Sequence, residues 1–188
     1  MLSSVGRKQV TAHVCLYIVN IIVLALSTQV NSFQEYFFVA DLFPFGLSIA
    51  TLVLLSLLLL LDLTLEKSYT GRPQFEIGFF GIIAIFWLAV NAFSTSRWHQ
   101  VPMACDAIPA DSLDLRTWCK NLQALQVFVW VEWLLICGIT LFTARFALSE
   151  NSKGHKHVFK MPLSRYNRHI QLDGYNRGSE FLQYGKAW

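Results

Sequence analysis

The chain has 188 residues, 54% of them hydrophobic and only 14% charged, with a mean hydropathy of +0.44. A soluble domain carries roughly a quarter charged residues and about 45–50% apolar ones. Composition therefore excludes disordered, collagenous and small disulfide-scaffold classes and points to an integral membrane protein. The formal charge of +3 marks no nucleic-acid partner, and its meaning rests on where the charges lie.

Crossing a hydrocarbon core of ~30 Å takes about 20 apolar residues in a helix. Four runs qualify, at 12–30, 44–65, 77–96 and 122–147, and none alternates as a β-barrel strand does. The connections are short, which makes sequential helices neighbours. The expected architecture is all-α: a four-transmembrane-helix up-down bundle over residues 1–148, followed by a tail at 149–188. Arg7 and Lys8 before a short apolar core, with Ala25 and Ser27 as the small residues of a cleavage site, also fit a secretory signal. A retained first span is the expectation. Of the 15 Lys and Arg residues, all but Arg97, Arg116 and Lys120 fall before span 1, between spans 2 and 3, or from the last turn of span 4 onward. The positive-inside rule then puts both termini in the cytosol.

Cys15 and Cys137 lie inside runs, where a thiol usually packs as a small apolar group. Cys105 and Cys119 share the long loop on the non-cytosolic side, an oxidising compartment, so a disulfide between them is expected. No C-x-x-C, G-x-x-x-x-G-K-[ST], H-E-x-x-H or G-x-S-x-G occurs, and His13 is the lone histidine within a run. The expectation is a protein that is not an enzyme, with no catalytic residues, no metal site and no cofactor.

Polar groups within the apolar runs are the most informative, because lipid offers them no partners. Glu132 stands in Trp130-Val131-Glu132-Trp133, well inside span 4. On a helical wheel it points with Leu125, Phe128 and Thr143, away from Gln123, Gln126, Trp130, Cys137 and Ala144. It must either face inward or be covered by another subunit, and no second ionisable residue lies in the core of the runs. His13, Tyr17, Asn20 and Ser27 share one face of span 1. By depth, Asn20 and Asn91 are the candidate partners for Glu132. The small-residue spacings Gly78–Gly81–Ala84 and Gly46–Ala50 are common by chance and carry little weight.

The tail holds Lys153, Lys156, Lys160, Arg165 and Arg168 in a stretch without an acidic residue. Beside an anionic inner leaflet each such charge is worth about 1 kcal/mol. Phe159, Tyr166 and Tyr175 spread aromatics along the tail, and docking of these on a partner protein is the expected role.

Four spans, a cysteine pair in the second exposed loop, the run IFWLAVNAFSTSRW of span 3 and the QAL-x-x-F-x-x-x-x-WLL pattern from Gln123 to Leu135 together resemble the MARVEL family, in its fungal branch. The resemblance implies a non-catalytic, membrane-organising scaffold of a fungal plasma membrane or secretory pathway. Its partners would be membrane lipids, with anionic lipid and sterol as candidates, and other integral membrane proteins or further copies of itself. An accessory subunit of a larger membrane enzyme or transporter is the alternative. A proton- or ion-conducting bundle centred on Glu132 is the third reading.

Overall fold

A helix satisfies every backbone N–H and C=O within one segment, which suits long apolar runs. The computed structural model describes residues 4–33, 35, 39–64, 72–98, 105, 108 and 112–153. It contains α1 (Ser4–Phe33), α2 (Val39–Thr64), α3 (Pro73–Trp98) and α4 (Leu113–Ser152), with no strand among the described residues. All four helices are long and apolar enough to cross a membrane.

Every helix begins before its apolar run, and α1, α3 and α4 also end after it. The reason is local. Lys, Arg, Gln and Glu end a hydrophobic stretch but are good helix formers. The boundary expected at 148/149 consequently falls inside α4, whose 40 residues extend about 60 Å at 1.5 Å each. Pro73 opens α3, a position where its missing N–H is no loss. Glu35, at φ 49°, takes the left-handed conformation that commonly follows a helix, and its N–H reaches the Ser32 carbonyl at 3.4 Å.

The helices pack in a ring in which α1 lies against α2 and α4, while α3 lies against α4 and, less extensively, α2. Side-chain contacts fix an antiparallel order. Trp87 and Trp98 of α3 reach Thr51 and Asp41 of α2, while Trp133 and Trp130 of α4 reach Ala84 and Thr95 of α3. The up-down bundle expected from the short connections is the observed one among the described residues.

The core is narrow. On α4 the buried positions are Leu122, Leu125, Val129, Glu132, Ile136, Ile139 and Thr143, three and four residues apart in alternation. The other helices carry similar seams, such as Leu16, Asn20, Val23, Ser27 and Val30 on α1. A 3.5-residue period keeps one seam toward its neighbours, as in knobs-into-holes bundles. Outside the seam the surface stays apolar. Ile18, Leu57, Ile85 and Leu134 are all more than half exposed. The distribution inverts that of a soluble bundle, whose polar residues turn outward: here Asn20, Ser27, Ser48, Thr51, Asn91, Ser94, Glu132 and Thr143 turn in.

Glycines do not create the contacts. A Cβ added at Gly46, Gly78 or Gly81 would meet nothing within 4 Å, so the small-residue spacings mark no close approach of backbones.

Cys105 and Cys119 form a disulfide with Cα atoms 5.7 Å apart, and both are buried. The bridge fastens the loop after α3 to the start of α4. Cys15 and Cys137 are free, with Cys15 exposed on the outer face. Alkylation of the SDS-denatured, unreduced protein should modify two cysteines per chain, rising to four after reduction. Four modified thiols without reductant would mean that the bridge does not form.

Candidate functional site: a column of acids and amides inside the bundle

The seam residues divide into three polar levels, one at each end and one in the middle. At the end formed by the start of α1 and the start of α3, Glu76 is buried, and Gln9 donates its amide N–H to Glu76 Oε2. His13 Nε2 lies 3.0 Å from Glu76 Oε1, and the imidazole stacks on Phe80 with ring centroids 5.3 Å apart. These contacts cross the bundle diagonally, from α1 to α3. Glu150, on the last turn of α4, is also buried, and Lys153 Nζ stands 3.2 Å from its Oε1. An ammonium three residues on is well placed for such a pair.

The middle level is built on α4. Glu132 is fully buried and accepts a hydrogen bond at Oε1 from Asn20 Nδ2 of α1. Asn91 of α3, also fully buried, donates instead to the carbonyl oxygen of Val129 at 2.9 Å, one turn before Glu132. The two flanking tryptophans serve the opposite interface. Trp130 Nε1 donates to Thr95 Oγ1 at 3.2 Å, and Trp133 Nε1 donates to the Ala84 carbonyl at 3.1 Å. Their rings meet edge-on at 5.7 Å. Within this single turn the indoles hold α3, and the carboxyl group between them holds α1. On α2 and α3, Thr51 Oγ1 accepts from Trp87 Nε1 at 3.2 Å.

At the far end, Asp41 is buried and accepts from Trp98 Nε1 at 2.6 Å. Asn31 spends its two amide hydrogens on the carbonyls of Ser27 and Asp41, at 2.7 and 2.9 Å, locking the α1–α2 hairpin. Asn121 donates to Gln29 at 2.9 Å beside the disulfide-bearing turn of α4. Hydroxyls that find no neighbour bond backward along their own helix, as Thr28, Ser48 and Thr140 do.

Sequence reasoning singled out Glu132, Asn20 and Asn91, and the structure brings the first two into direct contact while Asn91 binds the backbone one turn away. Glu132 faces inward, which resolves the choice left by the wheel. Further buried acids, which the apolar runs did not include, stand at the two ends of the bundle. Glu76, Asp41 and Glu150 lie just outside the apolar runs, but the helices continue through them and turn them into the seam. A spacing signal was present for Asp41, seven residues before Ser48, and for Glu150, seven after Thr143. Lys153 of the tail pairs with Glu150; Lys156, Lys160, Arg165, Arg168, Phe159, Tyr166 and Tyr175 lie outside the described residues.

No protein-family model, curated protein or solved structure matches the chain.

The middle level yields a stability test. Interhelical hydrogen bonds among membrane helices average about 0.6 kcal/mol, with a maximum of about 1.7. A buried group left without its partner costs about 1–3 kcal/mol and more when charged. Asn20→Leu, which strips Glu132 of its donor, should therefore destabilise the chain two- to threefold more than Thr51→Val, which removes one neutral acceptor. Reversible unfolding in mixed detergent micelles measures both, and equal costs would show that the Asn20–Glu132 contact has no special weight.

Proposed function

We propose that this chain is a multi-pass membrane protein with both termini in the cytosol, and that it organises membrane without catalysis by binding lipids and neighbouring membrane proteins. The observation that carries the reading is the inverted distribution of polarity. A bundle that ties its polar groups together inside and exposes Ile18, Leu57, Ile85 and Leu134 outside is built for an apolar surrounding. The outer belt is also the surface through which lipids and other spans would be met.

Charge supports the orientation. Arg7, Lys8, Arg72 and Lys153 stand at the end of the bundle opposite the Cys105–Cys119 bridge. Basic residues favour the cytosolic side and disulfides the other. The resemblance to the MARVEL family, carried by spans 3 and 4, agrees with a scaffold of the plasma membrane or secretory pathway in a fungal cell. The tail from Lys153 onward adds basic and aromatic residues for an anionic leaflet or a docking partner.

Native mass measurement of the chain, extracted in mild detergent from its own membrane, separates scaffold from subunit. The scaffold reading expects self-assembled species and loosely held lipid. A single fixed stoichiometry with one larger enzyme or transporter would replace it with the accessory-subunit reading. In the same membranes, tags at both termini should be cleaved by protease only after the cytosolic face is opened. Cleavage of either tag from the outside would reverse the proposed orientation.

A further inference from the structure

Among the described residues at mid-depth, the buried polar atoms left without a hydrogen-bond partner are all oxygens. Asn20 spends its amide N–H on Glu132 Oε1, and Asn91 spends its own on the Val129 carbonyl. Both partners are acceptors, so each amide must turn its nitrogen to α4 and keep its oxygen as the leftover atom. Asn20 Oδ1, Asn91 Oδ1 and Glu132 Oε2 are buried without a hydrogen-bond partner. All three residues are fully buried, and the two amides reach neighbouring turns of α4 from α1 on one side and α3 on the other.

An unpaired carboxylate inside a protein is costly, and oxygens without donors add to that cost. A cation answers both needs at once. The chemistry of the set narrows its kind. Three hard oxygens select a hard ion rather than a thiophilic one. One carboxylate matches one positive charge. Among the described residues no group of three His, Cys, Asp or Glu stands together to hold a divalent ion. Between the alkali ions, the smaller is satisfied by fewer oxygens.

We propose that Asn20, Asn91 and Glu132 form a mid-depth site for one sodium ion, with the proton as its competitor at Glu132. The site does not depend on the scaffold reading, and a bound ion need not be a transported one. The other buried ionisable groups stand well apart along the axis. His13 with Glu76, and Glu150, belong to one end, and Asp41 belongs to the other. His13 precedes Asn20 by seven residues, about 10 Å of helix. The buried residues of α2 nearest its centre, Thr51 and Leu55, do not ionise.

The test is thermal unfolding of the purified full chain in detergent, with choline chloride holding ionic strength constant. At about pH 8, where carboxylates in water are ionised, sodium should raise the midpoint saturably, as any ligand of the folded state does. Potassium should need about tenfold more salt for the same effect. The sodium response should shrink as the pH is lowered and protons take the carboxylate. Glu132→Gln should abolish it. Asn91→Leu, which leaves the Asn20–Glu132 bond in place, should raise the half-saturating sodium concentration about tenfold. Direct binding of radioactive sodium to the wild-type chain should reach one ion per chain and be displaced by unlabelled sodium, a readout that stands even if the Glu132 variant does not fold. Identical curves in sodium, potassium and choline, stabilisation by protons alone, or a sodium response retained in a folded Glu132→Gln protein would each overturn the site.

Discussion

A polar group sealed between helices has no water to fall back on, and this constraint shapes the bundle more than its apolar content does. The inner and outer faces of each helix are similarly apolar, so burying a leucine discriminates weakly between one helix rotation and another. A misplaced Asn20 or Glu132 discriminates strongly, because the free energy of an unmet hydrogen-bonding group exceeds that of a typical contact. Rotation and register are therefore set by pairs such as Asn20–Glu132, Trp98–Asp41 and Gln9–Glu76. The apolar residues fill the space between them.

The helix that gathers most of these obligations is α4. It receives Asn20 from α1 and Asn91 from α3 at mid-depth, donates two indole N–H groups to α3, and carries Cys119 of the disulfide. Its length lets it run beyond its neighbours while its seam stays in register with both of them. By contrast α2 is joined to α3 mainly through two indoles, Trp87 on Thr51 and Trp98 on Asp41. If the bundle opens anywhere, the contact between α2 and α3 is the weakest side, and an indole N–H can part from its acceptor there without exposing a carboxylate other than Asp41.

How much of this could be read in the sequence varies by feature. The number of helices and their order followed from the four apolar runs and short connections, because length and hydropathy alone dictate both. The inward seam was harder to see. In a soluble helix the buried stripe stands out against polar residues, but here both faces are apolar and hydrophobic periodicity fades. The information moves to the few polar residues, and their steps of three, four and seven, as in Asp41, Ser48 and Thr51, trace the seam. Asn20 and Glu132 were legible as partners by depth. Glu76, Asp41 and Glu150 were not, since a hydropathy window stops at a charged residue whereas the helix carries it inward. Asn91 illustrates a further limit: depth placed it near Glu132, but its amide found a backbone carbonyl, a choice that depends on side-chain geometry.

The central claim is that a polar seam faces inward while an apolar face meets lipid. Spin labels placed singly along α4 from Gln123 to Leu141, in the chain reconstituted into lipid bilayers, test it most directly. Accessibility to molecular oxygen should peak at Val127, Leu134 and Leu141, each seven residues from the next, and fall at Val129, Ile136 and Ile139, with a water-soluble relaxant excluded throughout the middle of the helix. A profile without that period, or a water-soluble relaxant reaching Val127 and Leu134, would contradict the account.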